Sequence, residues 1–282
     1  MEPRARFPGM LPPYLLLAPH GAVAAVFYYA PASRILQQSV SVGDGSAGAP
    51  VVGAAHFVRL LSDPAYLHAL AATAAYALAV AAAALSAGLF LATRANRLPR
   101  GGAIYATGLL WPIAVAPAVS GVVFAFLIDR AATLGVAPLH DGARAWAILI
   151  AAAVWRLTGY AFLFYLVALR RIPPTLAEAA ALDGAGPARR FWTIVFPHLA
   201  PTTLCLALVC VGSVLFDTFG AIDATTAGGP HGATTTLVYK LYADVRAGGD
   251  PGGAAAQSVL LGVILAALVG AQRRVSARKR RP

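Results

Sequence analysis

The segment Ile172-Pro-Pro-Thr-Leu-Ala-Glu-Ala-Ala-Ala-Leu-Asp-Gly-Ala-Gly-Pro-Ala-Arg-Arg-Phe-Trp-Thr-Ile-Val-Phe-Pro197 reads as two short helices meeting at a corner. Pro173 and Pro174 stop the apolar run before it. Pro174 or Thr175 can open a helix through Asp183, in a stretch rich in the good helix former Ala. Gly184 suits the left-handed residue that ends such a helix. Pro187 fits the first turn of a second helix running to Val195, and Pro197 is expected to break that helix before the next apolar run. Each helix has about 10 residues and is about 15 Å long. Its Ala side chains form a smooth rod that can lie in a groove on another protein, and Glu178 offers one charge to a basic partner.

On both sides of this segment the chain turns apolar. Six runs can be drawn: Leu11–Ala32, Tyr66–Ala92, Ala103–Ile128, Trp146–Leu169, Leu199–Ile222 and Ala254–Gln272. They are too long for strands and lack period-2 alternation. Of the 282 residues, 59% are hydrophobic and 12% charged, and the mean hydropathy is +0.70. Soluble domains carry about 25% charged residues. The composition excludes a disordered chain and argues against a soluble enzyme. A transmembrane helix needs about 20 apolar residues, so six fit this length with loops to spare. Pro112 and Pro117 are expected to kink the third run, which lipid tolerates where neighbours satisfy the freed backbone.

Charge orients the spans. The net charge of +11 lies between and after the apolar runs rather than in a soluble basic domain, which argues against nucleic acid. Fifteen basic residues flank one side: Arg4, Arg6, Arg94, Arg97, Arg100, Arg170, Arg171, Arg189, Arg190, Arg273, Arg274, Arg278, Lys279, Arg280 and Arg281. The other side has six: Arg34, Arg59, Arg130, Arg144, Lys240 and Arg246. The positive-inside bias places both termini and the 172–197 segment in the cytoplasm. The loops 33–65 and 223–253, both Gly-rich, fall outside, and Val42–Gly48 is expected to be mobile. The first run resembles a signal peptide in its basic start and its Ala30-Pro31-Ala32 end, but it exceeds the usual apolar core of roughly 7–15 residues, so it is read as a retained span. Cys205 and Cys210 lie in one span on different helix faces and read as packing residues.

The 172–197 segment resembles the cytoplasmic loop signature of permease subunits of binding-protein-dependent ABC importers: Glu-Ala-Ala, three residues, Gly, nine residues, Ile, one residue, Leu-Pro. Here it stands as Glu178-Ala179-Ala180, Gly184, Ile194 and Phe196-Pro197, with every spacing kept and Phe196 in place of Leu. Leu169-Arg-Arg-Ile-Pro173 is similar to the sugar and glycerol-phosphate branch. So is Gly228-Gly229-Pro230 followed by Thr234-Thr235-Thr236, while Phe216-Asp-Thr-Phe219 and Ile222-Asp-Ala-Thr-Thr226 are closer to its glycerol-3-phosphate members. The resemblance covers roughly residues 66–273.

It implies an all-α integral membrane protein with six transmembrane helices and a cytoplasmic coupling helix. The chain would comprise residues 1–65 (tail, first helix and outer loop), a permease core at 66–273 and a basic tail at 274–282. It implies a multi-pass subunit of a prokaryotic plasma (inner) membrane that pairs with a second permease subunit, docks on two ATPase subunits and receives substrate from an extracytoplasmic binding protein. The substrate would be sn-glycerol-3-phosphate or a glycerophosphodiester, with a neutral sugar or disaccharide as the alternative. The ATPase contact falls to Glu178, Ala179, Ala180, Asp183, Gly184, Ile194 and Pro197, with Glu178 as the contacting charge and Gly184 as the corner. ATP and Mg would be bound by the partners, and no cofactor by this chain, which lacks a Gly-x-x-x-x-Gly-Lys-Ser/Thr loop.

Three charges remain. Arg156 sits near the middle of the fourth span, where a charge costs roughly 2.5–3.5 kcal/mol on insertion scales and so faces a bundle interior or a wet cavity. Three readings stay open for it: a structural pair with a carboxylate or backbone carbonyls, a place on the path of an anion, or solvation in a vestibule. Asp217 near the outer end of the fifth span, and Asp223 beyond it, read either as interfacial residues or as substrate-path positions. His198 reads as interfacial packing. A stand-alone secondary transporter would carry inverted repeats or more buried polar residues, and a membrane-embedded enzyme would carry a catalytic constellation; the sequence shows neither.

Overall fold

The structure, a computed structural model, describes residues 11–42, 51–96, 107–133, 141–247 and 250–278. Among them the chain is helical almost throughout. Helix α1 (Leu11–Ala24) runs through a π turn, Ala25–Tyr29, into α2 (Ala30–Val40). A two-residue antiparallel ladder pairs Ser41 with Val52 and Val42 with Val51. Then come α3 (Ala55–Ser62), α4 (Pro64–Ala95), α5 (Thr107–Ala114), α6 (Pro117–Thr133), α7 (Asp141–Arg170), α8 (Pro174–Leu182) and α9 (Pro187–Arg190). After a π turn over Phe191–Val195 follow α10 (Phe196–Thr225), α11 (Leu237–Arg246) and α12 (Pro251–Arg278).

Among the described residues, five continuous helical stretches are long and apolar enough to cross a membrane: Leu15–Val40, Pro64–Ala95, Asp141–Arg170, Pro187–Thr225 and Pro251–Arg274. A sixth exists if α5 and α6 count as one span bent by 106°. The third expected run is therefore no straight rod, and its residues 103–106 lie outside the described residues, as do residues 43–48 of the Val42–Gly48 stretch. The break has a local cause. Pro117 lacks the N–H that would continue the ladder, and its ring disfavours α geometry at Ala116. Val115 N–H instead closes a tight turn onto Pro112 O at 3.1 Å.

The fifth span corrects another expectation. Pro197 does not break the chain, because helix continues from Pro187 to Thr225. The π turn before it shifts the hydrogen bonds by one residue, so that Phe196 N–H reaches Phe191 O. Such a widened turn absorbs the clash a proline ring makes with the preceding turn.

The chain divides into two units. One comprises Met1–Asp63 and Asp244–Gly262, the other Pro64–Ala243 and Val263–Pro282. In the first, Asp250 caps α12: its Oδ1 accepts from Gly252 N–H at 2.9 Å, and Pro251 fills the first helical position. Its Oδ2 lies 2.9 Å from His56 Nδ1 and 3.8 Å from Arg59. Burial raises the Asp250 carboxyl, but the backbone N–H groups of Gly253 and Gly252 and the charges of His56 and Arg59 outweigh it and hold the group below the usual carboxylate range.

The second unit is a bundle of α4, α6, α7 and α10. Small residues let its axes approach, since lipid supplies no hydrophobic drive between helices. Ala84, Gly88, Ala92 and Ala95 line one face of α4 and are buried. A Cβ at Gly88 would come within 2.6 Å of Ala161 Cβ on α7. A Cβ at Gly159 would overlap the Leu109 carbonyl oxygen, so this glycine admits α5 against α7.

Candidate functional site

Two features of the second unit stand out: the exposed loop between α7 and α10, and a narrow pocket among the bundle helices that holds two charged side chains.

The loop has the expected corner. Helix α8 ends at Leu182, and Gly184 follows with φ +78°. Gly184 N–H reaches Ala181 O at 3.1 Å and Ala185 N–H reaches Ala180 O at 2.9 Å. These are the two bonds of a Schellman motif, which needs the left-handed residue that glycine supplies. Glu178, Ala179, Asp183, Gly184 and Pro197 are exposed, and Ala180 and Ile194 are half-buried. Leu182, at the tip of α8, is 91% exposed. Sequence reasoning passed over this residue because a leucine in an Ala-rich helix carries no signal of its own. Trp192, 62% exposed, extends the apolar surface beyond the corner and packs 5.0 Å from Phe196 between ring centres. The loop thus offers a glycine corner, two exposed carboxylates (Glu178 and Asp183) and uncovered leucine and tryptophan side chains.

The pocket brings together Arg156 of α7 and Asp217 of α10, with Tyr76, Ser120, Ser213 and Thr218 around them. Helical spacing explains the α10 contribution: Ser213, Asp217 and Ala221 are one turn apart on one face. Asp223 is exposed and does not line the pocket. The pocket holds about 320 Å³ of space between atoms, but a water molecule can centre in only about 20 Å³ of it. That is room for about one water. Most hydroxyls nearby are locally satisfied. Tyr76 donates to Leu149 O at 3.1 Å, Ser120 to Pro117 O at 2.8 Å and Thr218 to Val214 O at 2.6 Å. Arg156 differs: its Nε is buried with no hydrogen-bond partner, and among the described residues it makes no ion pair. Asp217 is exposed in the chain on a membrane-crossing helix. A carboxylate there faces protein or water rather than lipid.

The chain's likenesses can be set beside this geometry. Residues 138–281 match the family described as "Binding-protein-dependent transport system inner membrane component". The chain is 44% identical over 280 residues to the sn-glycerol-3-phosphate transport system permease protein UgpA of Brucella abortus biovar 1 (strain 9-941), covering 95% of this chain and 96% of that protein. It is 44% identical over 277 residues to UgpA of Agrobacterium fabrum, with 94% of each covered. Against UgpA of Yersinia pestis the identity is 41% over 278 residues, covering 95% of this chain and 94% of that one. In three dimensions it is similar to a chain of a bacterial ABC transporter involved in the import of the acidic polysaccharide alginate, with a TM-score of 0.76 at 19% identity over 95% of this chain and 96% of that one.

Proposed function

The chain belongs to the inner membrane components of binding-protein-dependent transport systems, and from that membership we propose that it forms one half of the path by which an ATP-driven importer moves sn-glycerol-3-phosphate or its diesters across the membrane. The observation that carries the substrate is the likeness over nearly the whole chain to proteins named as sn-glycerol-3-phosphate permeases. A second permease subunit completes the path, an extracytoplasmic binding protein delivers the substrate, and two ATPase subunits drive it. ATP is hydrolysed on those subunits.

In this reading the permease core spans 66–273, both termini are cytoplasmic, and the loop at 172–197 seats on an ATPase subunit. Leu182 enters an apolar pocket of that subunit, Glu178 meets a basic group, and the Gly184 corner fixes the angle between α8 and α9. Closure of the ATPase pair then pulls on α10 directly, because Pro187–Thr225 is one continuous helix. Asp217 and Ser213 lie on that helix, so its displacement widens the pocket. Arg156, with its unpartnered Nε, attracts the phosphate as the pocket opens. Asp217, Ser213 and Ser120 accept from or donate to the glycerol hydroxyls, and Asp223 lies at the outer mouth of the path.

Uptake by the reconstituted complex tests this reading. Proteoliposomes holding both permeases and the ATPase subunits, with the binding protein outside and ATP inside, should accumulate radiolabelled sn-glycerol-3-phosphate. Glycerophosphodiesters should compete and disaccharides should not. ATP-driven uptake of a sugar, with none of the phosphate ester, would overturn the substrate while leaving the transporter assignment standing.

A further inference from the structure

A second cavity lies at the end of the bundle nearest the docking loop, between the last turns of α7 and the start of α10. Phe164, Val167 and Ile172 are among its apolar lining residues, and Arg171, His198 and Thr202 are its polar ones. It holds about 790 Å³ of open space, and a water molecule can centre in about 380 Å³ of it. It is far roomier than the narrow pocket around Arg156. Among the described residues no carboxylate lines it. The Arg171 side chain makes no ion pair among the described residues. His198 donates Nδ1–H to Ile194 O at 2.7 Å, which leaves Nε2 as an acceptor when the ring is neutral and as a second cationic donor when it is protonated. Behind the cleft, Tyr165 donates to Thr203 Oγ1 at 3.1 Å and holds the two helices at this separation.

From Arg171 back to Phe164 is seven residues, or about 10 Å of helix. The cleft therefore starts at the end of the apolar span Asp141–Arg170 and runs back along side chains exposed in the single chain, with Phe164 and Val167 both exposed. A cationic mouth at headgroup level above an apolar wall at acyl-chain level fits an amphipathic anion, and basic pockets between spans on the cytoplasmic side are where anionic lipid headgroups bind. We propose that this cleft holds one anionic phospholipid of the inner leaflet, its phosphate on Arg171, its headgroup against His198 and Thr202, and an acyl chain along Phe164 and Val167. The site is independent of the substrate carried and rests only on the cytoplasmic placement of the docking loop.

Lipid retention by the whole importer complex tests the assignment. Complex reconstituted in bilayers of phosphatidylcholine with phosphatidylglycerol is extracted, and the lipids that stay bound are counted by native mass spectrometry. Wild type should retain phosphatidylglycerol in preference to phosphatidylcholine. Arg171→Gln should weaken that retention roughly fivefold, the effect of one basic residue at an anionic surface. Val167→Trp, which fills the cleft and keeps both basic groups, should also displace the lipid, and millimolar inorganic phosphate should not. Absence of any preference in wild type would mean that another subunit covers the cleft. Retention unchanged in both variants, or full displacement by inorganic phosphate, would equally overturn the proposal, the last by making the cleft a free-anion site.

Discussion

Replacing Gly184 separates the geometry of the docking corner from every other property of the loop. Its φ of +78° lies in the left-handed region, and a Cβ built on it meets nothing within 4 Å. A substitution therefore costs backbone strain and no steric overlap. For an ordinary L-residue that strain is roughly 1–2 kcal/mol, less for Asn, which visits this region, and more for a β-branched residue, which is an outlier there. The loop is exposed, so the free chain can relax and insertion should not suffer. The cost falls on docking, when the corner must be restored. At about 1.4 kcal/mol per tenfold, Gly184→Ala should weaken association with the ATPase subunits by roughly five- to thirtyfold. Gly184→Asn should be milder, and Gly184→Val more severe. The assay is copurification of the ATPase subunits, together with binding-protein-stimulated ATP hydrolysis, at matched membrane levels of this chain. Equal behaviour of Asn and Val would refute the left-handed argument, because the two differ mainly in their tolerance of positive φ. Wild-type docking by all three variants would remove the loop from the interface altogether.

Three further outcomes are expected. Leu182→Asp places a charge where an apolar pocket is proposed, and should cut ATPase copurification at least tenfold, about 1.4 kcal/mol, without lowering membrane levels; full copurification would exclude Leu182 as an anchor. Arg156→Gln removes a cation that pairs with no carboxylate among the described residues, so the complex should assemble normally while sn-glycerol-3-phosphate uptake falls about tenfold or more; loss of assembly with uptake per complex unchanged would return Arg156 to a structural role. Asp250 has a folded pKa below its unfolded value, so its contribution to capping α12 is fully present above about pH 4 and is lost as pH falls through the lower folded value. Amide exchange of Gly252 and Gly253, corrected for intrinsic rates, should speed up in that acid range, and Asp250→Asn should abolish the pH dependence; an unchanged profile would refute the link.

The corner was legible because its determinants are local. Proline and glycine punctuate a chain without help from distant residues, and Pro174, Gly184 and Pro187 stand in the structure where their chemistry asks. Pro197 misled for an instructive reason. Its ring does disfavour a regular α turn, but the chain had a cheaper response than breaking, a π turn over Phe191–Val195. The bend at Pro117 was legible as a kink, while its size of 106° was not, because the approach of α5 to α7 depends on Gly159, which is remote in sequence. Two of the six polar residues of the pocket were legible for a physical reason of their own. Arg156 and Asp217 announce themselves because a charge in lipid is costly wherever it sits. Tyr76, Ser120, Ser213 and Thr218 do not, since hydroxyl side chains on spans commonly satisfy themselves on the preceding turn of backbone, as Ser120 and Thr218 do. Only the packing of four helices shows that they converge. Asp223 stays out of the pocket lining by the converse argument. Six residues after Asp217, it is rotated by roughly 240° about the helix axis, so two carboxylates close in sequence could not both face the pocket. The sequence alone offered no reason to prefer one of them. The preference follows from the face that Ser213, Asp217 and Ala221 share, and that face is fixed by how α10 packs on α7.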